Sequence, residues 1–243
     1  GFLSRAWGAC FASPILDAAE PRVAAELHAL HPGAPLPAAR CSDDHPSFDT
    51  SRATFNSVVA SLPKARGAGP SSLRFEALRL ACDAGWDDAV YELVAALNAG
   101  HLHPSLCQFL SASRIIALRK PNGKARPIAM GDVLARLAAK CVCKQEAESF
   151  AAYFSGGSLD EPSAAPSQPV PLQLGVGVKG GLEVGVHAIR LLLEQHPEWA
   201  VCSNDFANGF NAQSRDAMLQ RLADGPFRHL LPMVESMYLH AGS

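Results

Sequence analysis

The stretch from Trp199 to Asp216, WAVCSNDFANGFNAQSRD, joins a β-tolerant apolar run to a carboxylate and two spaced aromatics. Trp199-Ala200-Val201-Cys202 is short and apolar and predicts a buried strand, the polar Ser203-Asn204 follow, and Asp205 stands where that strand would end. A strand end is a good place for a catalytic or metal-binding carboxylate. Ser214 is a fitting N-cap for a helix that begins at Arg215. The residues alone leave two readings open: a site carboxylate with its flanking aromatics, or a surface Asp after an edge strand with Phe206 and Phe210 in the core.

The outer bounds come from size and composition. With 243 residues and 48% apolar content the chain has enough material for one large domain or two small ones with a real core. That excludes a disordered or low-complexity protein. The 7 cysteines are odd in number, fall in apolar stretches and include no C-x-x-C pair. Reduced, buried thiols of an intracellular protein are expected from this, not a disulfide framework or a zinc site. His101 and His103 flank Leu102 without a matching ligand pair, so a loop is expected there. There is neither a run of 18 apolar residues nor a basic-then-apolar leader in the first 30. The expectation is a soluble nuclear or cytoplasmic chain without a readable address. The start at Gly1 and the stop just after an apparent helix suggest a fragment.

The formal net charge is −2, but the charge is not evenly spread. Residues 1–50 hold Arg5, Arg22 and Arg40 against six carboxylates, whereas residues 114–144 hold eight Lys and Arg against Asp132 alone. A basic block of that kind is the footprint expected for phosphate contact; a solvated basic helix face is the bland alternative. The prolines of residues 1–50 predict a loosely packed leader, with one helix over Ala18 to Leu30 interrupted near Pro21. Phe48 to Leu62 reads as a short amphipathic helix. Lys64 to Ser72 is a basic glycine-rich loop leading into a helix capped by Ser71 or Ser72. Asp87 to Ala99 is a helix stopped by Gly100, and Pro104 to Leu110 another with Pro in its first turn.

Within the basic block, Arg114 to Leu118 and Ala125 to Met130 read as two strands joined by a turn at Pro121-Asn122-Gly123. This is a hairpin with a cationic tip, formed by Lys120, Lys124 and Arg126. Gly131-Asp132 opens a helix whose apolar positions keep helical spacing. Arg136, Lys140 and Lys144 recur every four residues on that helix. Like charges so placed repel by roughly 0.2–0.5 kcal/mol a pair unless an anion lies along them.

The Asp205 stretch resembles the first catalytic motif of reverse transcriptases, most closely those of non-LTR retroelements. K-P-N-G-K-x-R-P-I followed by a helix resembles the fingers of the same enzymes, and Leu172 to Glu183, with Gly175, Gly177 and Lys179, is similar to the segment that runs along their template strand. The G-P-S-S-L-R-x-E-x-L of residues 69–78 is similar to the segment ahead of the fingers. The resemblance covers about residues 64–243 and rests on motif order as much as on content. It implies an α+β fold: fingers of helices and a β-hairpin, then the opening of a palm with a partial antiparallel sheet. Residues 1–50 would be a leader, 51–198 pre-finger helices and fingers, and 199–243 the truncated start of the palm.

The implied activity is RNA-directed DNA synthesis, in which the partners are an RNA template, a DNA primer and deoxynucleoside triphosphates and the cofactor is Mg²⁺. Two cations roughly 3.5–4 Å apart would activate the primer 3′-hydroxyl and clamp the triphosphate, and magnesium takes carboxylate oxygen. Asp205 would be the catalytic carboxylate and, with the carbonyl of Phe206, a metal ligand. Phe210 would lie under the sugar and exclude a 2′-hydroxyl. Lys120 and Arg126, with Lys124, would fold over the triphosphate, and Arg136, Lys140 and Lys144 would follow the nucleic acid.

Three departures from the family pattern stand out. Gly209 replaces the usual Ala before Phe210, Ser203-Asn204 precede Asp205 where apolar or basic residues are common, and the second metal motif, an aromatic two residues before Asp-Asp, is absent. One carboxylate cannot hold two metals in register, so this chain alone is not expected to polymerise. The alternative is a decayed element remnant that binds nucleic acid at most. A third reading rests on Gly175 to Gly180, a literal G-x-G-x-x-G of dinucleotide-binding enzymes. Pro169 and Pro171 spoil the strand it requires, and Asp205 lies farther on than the usual acid.

Overall fold

The computed structural model describes residues 14–31, 33, 35–42, 45–154, 173–176, 178–206 and 209–239, Phe210 in its backbone alone. Among these the chain is α+β: helices around a small three-stranded antiparallel sheet of order β1-β2-β3. In chain order the elements are β1 (Ile15–Leu16), α1 (Pro21–Leu30), α2 (Arg52–Ala60), α3 (Phe75–Ala81), α4 (Asp87–Ala99), α5 (Pro104–Ser111), β2 (Ser113–Arg119), β3 (Ala125–Gly131), α6 (Val133–Gln145), α7 (Ala147–Phe154), α8 (Gly181–Gln195), α9 (Gly209–Ala212), α10 (Arg215–Ala223) and α11 (Leu231–Tyr238).

The core forms around α6. Val133, Leu137, Ala138 and Cys141 recur at helical spacing and are wholly buried against Phe55 and Val58 of α2, Val94 and Leu97 of α4 and Leu110 of α5. Asp132 fixes the start of α6 by accepting from the Leu134 amide at 3.0 Å. Asn98, fully buried in α4, donates to Thr50 Oγ1 at 2.9 Å and to the Ala138 carbonyl at 3.4 Å, tying α4 and α6 to the residues ahead of α2. Arg52 pairs with Asp87 and Asp88 in the first turn of α4 and lies over the Tyr91 ring. Negative charge at a helix start is favourable there.

Several boundaries differ from those expected. Pro21 opens α1 instead of interrupting it, as its fixed φ and missing N–H permit at a first helical position. The helix expected over Phe48 to Leu62 shortens to α2, capped by Ser51, while Phe48 is buried ahead of it among Val142, Phe227 and Leu230. Neither Ser71 nor Ser72 caps α3, because Ser71 Oγ accepts from Leu73 and Ser72 sits at φ 61°; the helix starts later, at Phe75. Between α3 and α4 a single π turn, Cys82–Trp86, passes through Gly85 at φ 88°.

The leader is not loose where it is described. Leu16 pairs with Ala117 and, with Val23 and Leu27 of α1, covers the face of the sheet that carries Ala117 and Ala125. Further on, the buried Glu235 of α11 accepts from the backbone amides of Arg40 and Cys41, and the Arg40 guanidinium reaches Asp216 at 2.7 Å and Gln220 at 2.9 Å. Residues 35–42 and 45–50 therefore strap the C-terminal helices α10 and α11 to the body.

The strand expected over Trp199 to Cys202 does not form. Residues 199–206 carry no strand hydrogen bonds and are exposed throughout. A β-tolerant sequence needs a neighbouring strand to pair with, and no described strand lies beside this one.

Gly100 closes α4 at φ 77°, and a Cβ there would come 2.6 Å from Pro232 Cβ and 2.8 Å from its carbonyl oxygen. We predict that Gly100→Ala lowers stability by about 1–3 kcal/mol, through both the backbone conformation and the collision with α11. The measurement is the urea midpoint at constant m-value; an unchanged midpoint would contradict the assignment.

Candidate functional site

Residues implicated by the sequence fall in three places. The first is the hairpin. Lys120, Pro121, Asn122 and Gly123 form a turn in which the Gly123 amide donates to the Lys120 carbonyl at 2.9 Å and Gly123 takes φ 80°. The strands pair from Ser113 with Gly131 to Arg119 with Ala125. Alternation along a strand sends Ala117 and Ala125 toward α1 and sends Arg114, Ile116, Leu118 and Lys120 to the other face. Arg126, Ile128 and Met130 share that second face as cross-strand partners of Leu118, Ile116 and Arg114. Lys120 is half-buried, while Lys124 and Arg126 are exposed at the tip. One sheet face thus presents an aliphatic centre bordered by Arg114, Lys120 and Arg126.

The second place is α6, and here the expected row of cations is not a free one. Arg136 donates to the Gly67 carbonyl at 2.9 Å and stacks over the Phe75 ring with 4.7 Å to the centroid. Lys144 donates to Ser57 Oγ. Intramolecular acceptors and a π face therefore serve two of the three cations, and spacing alone did not reveal them. Lys140 is exposed between them. The Gly67–Gly69 loop that Arg136 anchors packs so tightly on the start of α6 that a Cβ on Gly69 would lie 2.5 Å from the Gly131 carbonyl oxygen.

The third place is the exposed stretch that carries Asp205. Asp205 and Phe206 are both exposed, Phe206 at 83%, and no hydrogen bond or ion pair among the described residues joins Asp205 to the hairpin cations. Among the described residues no three His, Cys, Asp or Glu converge as a metal-ligand set. Phe210 lies in the short α9, whose backbone alone is described at that position. Ser214 does cap α10, accepting from the Ala217 amide at 3.2 Å, as its place in the sequence implied.

Gly175 and Lys179 occupy a turn ahead of α8, Gly180 takes φ 69° as the residue before the helix, and Gly177 lies outside the described residues. A cleft of about 490 Å³ between the turn and α8 is lined by Leu174, Val178, Leu182, Val186, His187 and Arg190, among others. Only Gly181 of α8 is buried. The dinucleotide-binding reading requires a parallel sheet beneath such a helix; the sheet described here is antiparallel, and α8 does not rest on it.

The cysteines split by environment. Burial pushes the Cys141 thiol up to about 11, and burial together with the neighbouring Glu235 carboxylate pushes Cys41 up to about 12. Cys143 and Cys202 are exposed, contrary to the expectation of uniformly buried thiols. No helix among the described residues is long and apolar enough to cross a membrane. No family model, no curated protein and no solved structure matches this chain.

Because the thiolate is the reactive form, iodoacetamide at pH 8 is expected to label Cys143 and Cys202 first. Cys41, Cys107 and Cys141 should stay unmodified until the protein is denatured. Peptide mass spectrometry with time would check the order, and early labelling of Cys141 would contradict its burial.

Proposed function

We propose that this chain is the fingers and the opening of the palm of an RNA-directed DNA polymerase, and that its own activity is to bind nucleic acid and nucleoside triphosphate without joining them. The observation that carries this reading is the hairpin. The K-P-N-G-K-x-R-P-I segment folds as two antiparallel strands with Lys120 and Arg126 on one face and Lys124 at the tip. Phosphate is the chemistry such a face suits: Arg offers a planar bidentate fork and Lys a compact charge. The aliphatic floor of Ile116, Leu118 and Ile128 lies between the cations, so a ligand with both charge and an apolar flat part has something to rest on.

Asp205 with the Phe206 carbonyl fits one edge of a magnesium site by donor type, since hard oxygen ligands are what that ion takes. When bound, the two-ion pair of such enzymes would activate the primer 3′-hydroxyl and neutralise the leaving group. Among the described residues, those toward it are Asp205 and Phe206, in an exposed segment. The second reading, a nucleic-acid-binding remnant with no catalysis, is favoured by that same exposure and by the fact that no metal-ligand set converges on Asp205 among the described residues.

The test is binding to a labelled RNA–DNA primer-template at 50 and 200 mM salt. The affinity should fall steeply with salt, and Lys120→Ala or Arg126→Ala should each weaken binding and reduce the log–log salt slope by about 1. Asp205→Asn should leave binding within about twofold, because Asp205 is exposed and no hydrogen bond or ion pair among the described residues joins its carboxylate to the hairpin. No primer extension is expected from this chain with Mg²⁺. Salt-independent binding, or none at 50 mM, would sink the proposal, and extension abolished by Asp205→Asn would overturn the separation of binding from chemistry.

A further inference from the structure

Among the described residues, the sheet order leaves the outer side of β3 without a strand neighbour. In the hairpin ladder the Lys120 amide donates to the Lys124 carbonyl at 2.8 Å, so the next pair, Arg119 with Ala125, is a non-hydrogen-bonded one whose N–H groups turn away from each other. Both outward amides are taken by the leader. Arg119 N–H donates to the Pro14 carbonyl at 2.9 Å, and Ala125 N–H donates to Glu26 Oε2 of α1 at 2.8 Å. The next outward position on β3 is Pro127, which has no N–H to leave unpaired. Beneath the same pair, Ala125 and Ala117 are buried at 1% and 0% under Leu16, Val23 and Leu27.

These contacts grip the hairpin at one point: on β2 one residue from Lys120, and on β3 at the residue between Lys124 and Arg126. A two-stranded hairpin alone is marginal in water, and a tip free to fray would lose conformational entropy again on each binding event. We propose that α1 is a brace for the cationic hairpin and that Glu26 is its positioning residue, holding Lys120, Lys124 and Arg126 in the arrangement that receives a polyphosphate. This rests on the phosphate-binding reading given above, and it adds a part to it: the leader, and within it a carboxylate, determines how well the cations work.

The carboxylate makes the inference sharp. By charge alone Glu26 opposes an anion at the tip, so removing it should strengthen binding. By position it should weaken binding. Three proteins separate the two signs: the natural chain, Glu26→Ala, and Glu26→Gln, which removes the charge and keeps an acceptor oxygen. The first readout, which needs no ligand, is amide hydrogen exchange at Ala125 and its neighbours, and the second is binding of inorganic tripolyphosphate at low salt. In Glu26→Ala the Ala125 amide should exchange about three- to tenfold faster, and tripolyphosphate should bind more weakly by a similar factor. Glu26→Gln should stay near the natural chain in both. Unchanged exchange in Glu26→Ala overturns the brace, and tighter tripolyphosphate binding by Glu26→Ala overturns the positioning role. If the natural chain binds no tripolyphosphate, the phosphate-binding reading fails and the positioning role falls with it, while the exchange result still decides whether the brace exists.

Discussion

The body of the protein depends on the burial of α6 on three helices at once. Val133, Leu137, Ala138 and Cys141 reach complete burial because they form one stripe, and because Ala138 and Cys141 are small enough to let α2 and α4 approach. That close approach brings a polar cost with it, since Asn98 is buried in the seam. Its amide nitrogen answers both the Thr50 hydroxyl and the Ala138 carbonyl, so α4, α6 and the residues before α2 settle in one register. Removing a partner would leave a buried polar group unpaired, at about 1–3 kcal/mol. The hairpin precedes α6 directly, through Gly131 and Asp132, and the capped start of α6 therefore fixes where the two strands leave the core.

From that anchor the remaining contacts run outward in opposite directions along the sequence. Residues 14–30 return to the sheet and cover one of its faces, while residues 35–42 cross to α10 and α11, where the Arg40 and Cys41 amides meet Glu235. The Glu235 carboxylate answers two backbone amides with one buried group, and the Arg40 side chain adds an exposed pair with Asp216, whose carboxyl is held below its usual value mainly by that guanidinium. The strap is thus built from backbone and side-chain donors together. A proline-rich stretch with little regular structure can still be well anchored when its amides find side-chain acceptors on the body.

Much of the helical body was legible in the sequence, for local reasons. Gly100 at the end of α4, Pro104 at the start of α5, Ser214 before α10 and Pro121-Asn122-Gly123 between β2 and β3 each act through their own backbone preferences, and each appears where those preferences put it. The leader was not legible, because β1 is two residues long and its partner lies a hundred positions away. Nothing local in Ile15-Leu16 announces that pairing. The cations of α6 misled in a similar way: their spacing is local, but the Gly67 carbonyl, the Phe75 ring and the Ser57 hydroxyl that receive them come from elsewhere in the chain.

The Asp205 stretch shows the limit from the other side. Trp199 to Cys202 has the composition of a buried strand, yet composition supplies only a tendency to be extended, and a strand exists through its neighbours. Here the apolar residues lie exposed after α8, itself apolar around most of its circumference with Leu182, Val184, Val186, Ile189, Leu191 and Leu192 open to solvent. The hairpin with its leader is a finished piece of structure: both tip amides are paired, the face under α1 is covered, and the cations are set in place. Asp205 is carried by an exposed segment with no strand pairing among the described residues. Binding chemistry needs only the first of these, whereas two-metal chemistry needs a rigid second carboxylate opposite Asp205. On the proposed reading, the division between what is braced and what is bare would fall between recognition and reaction.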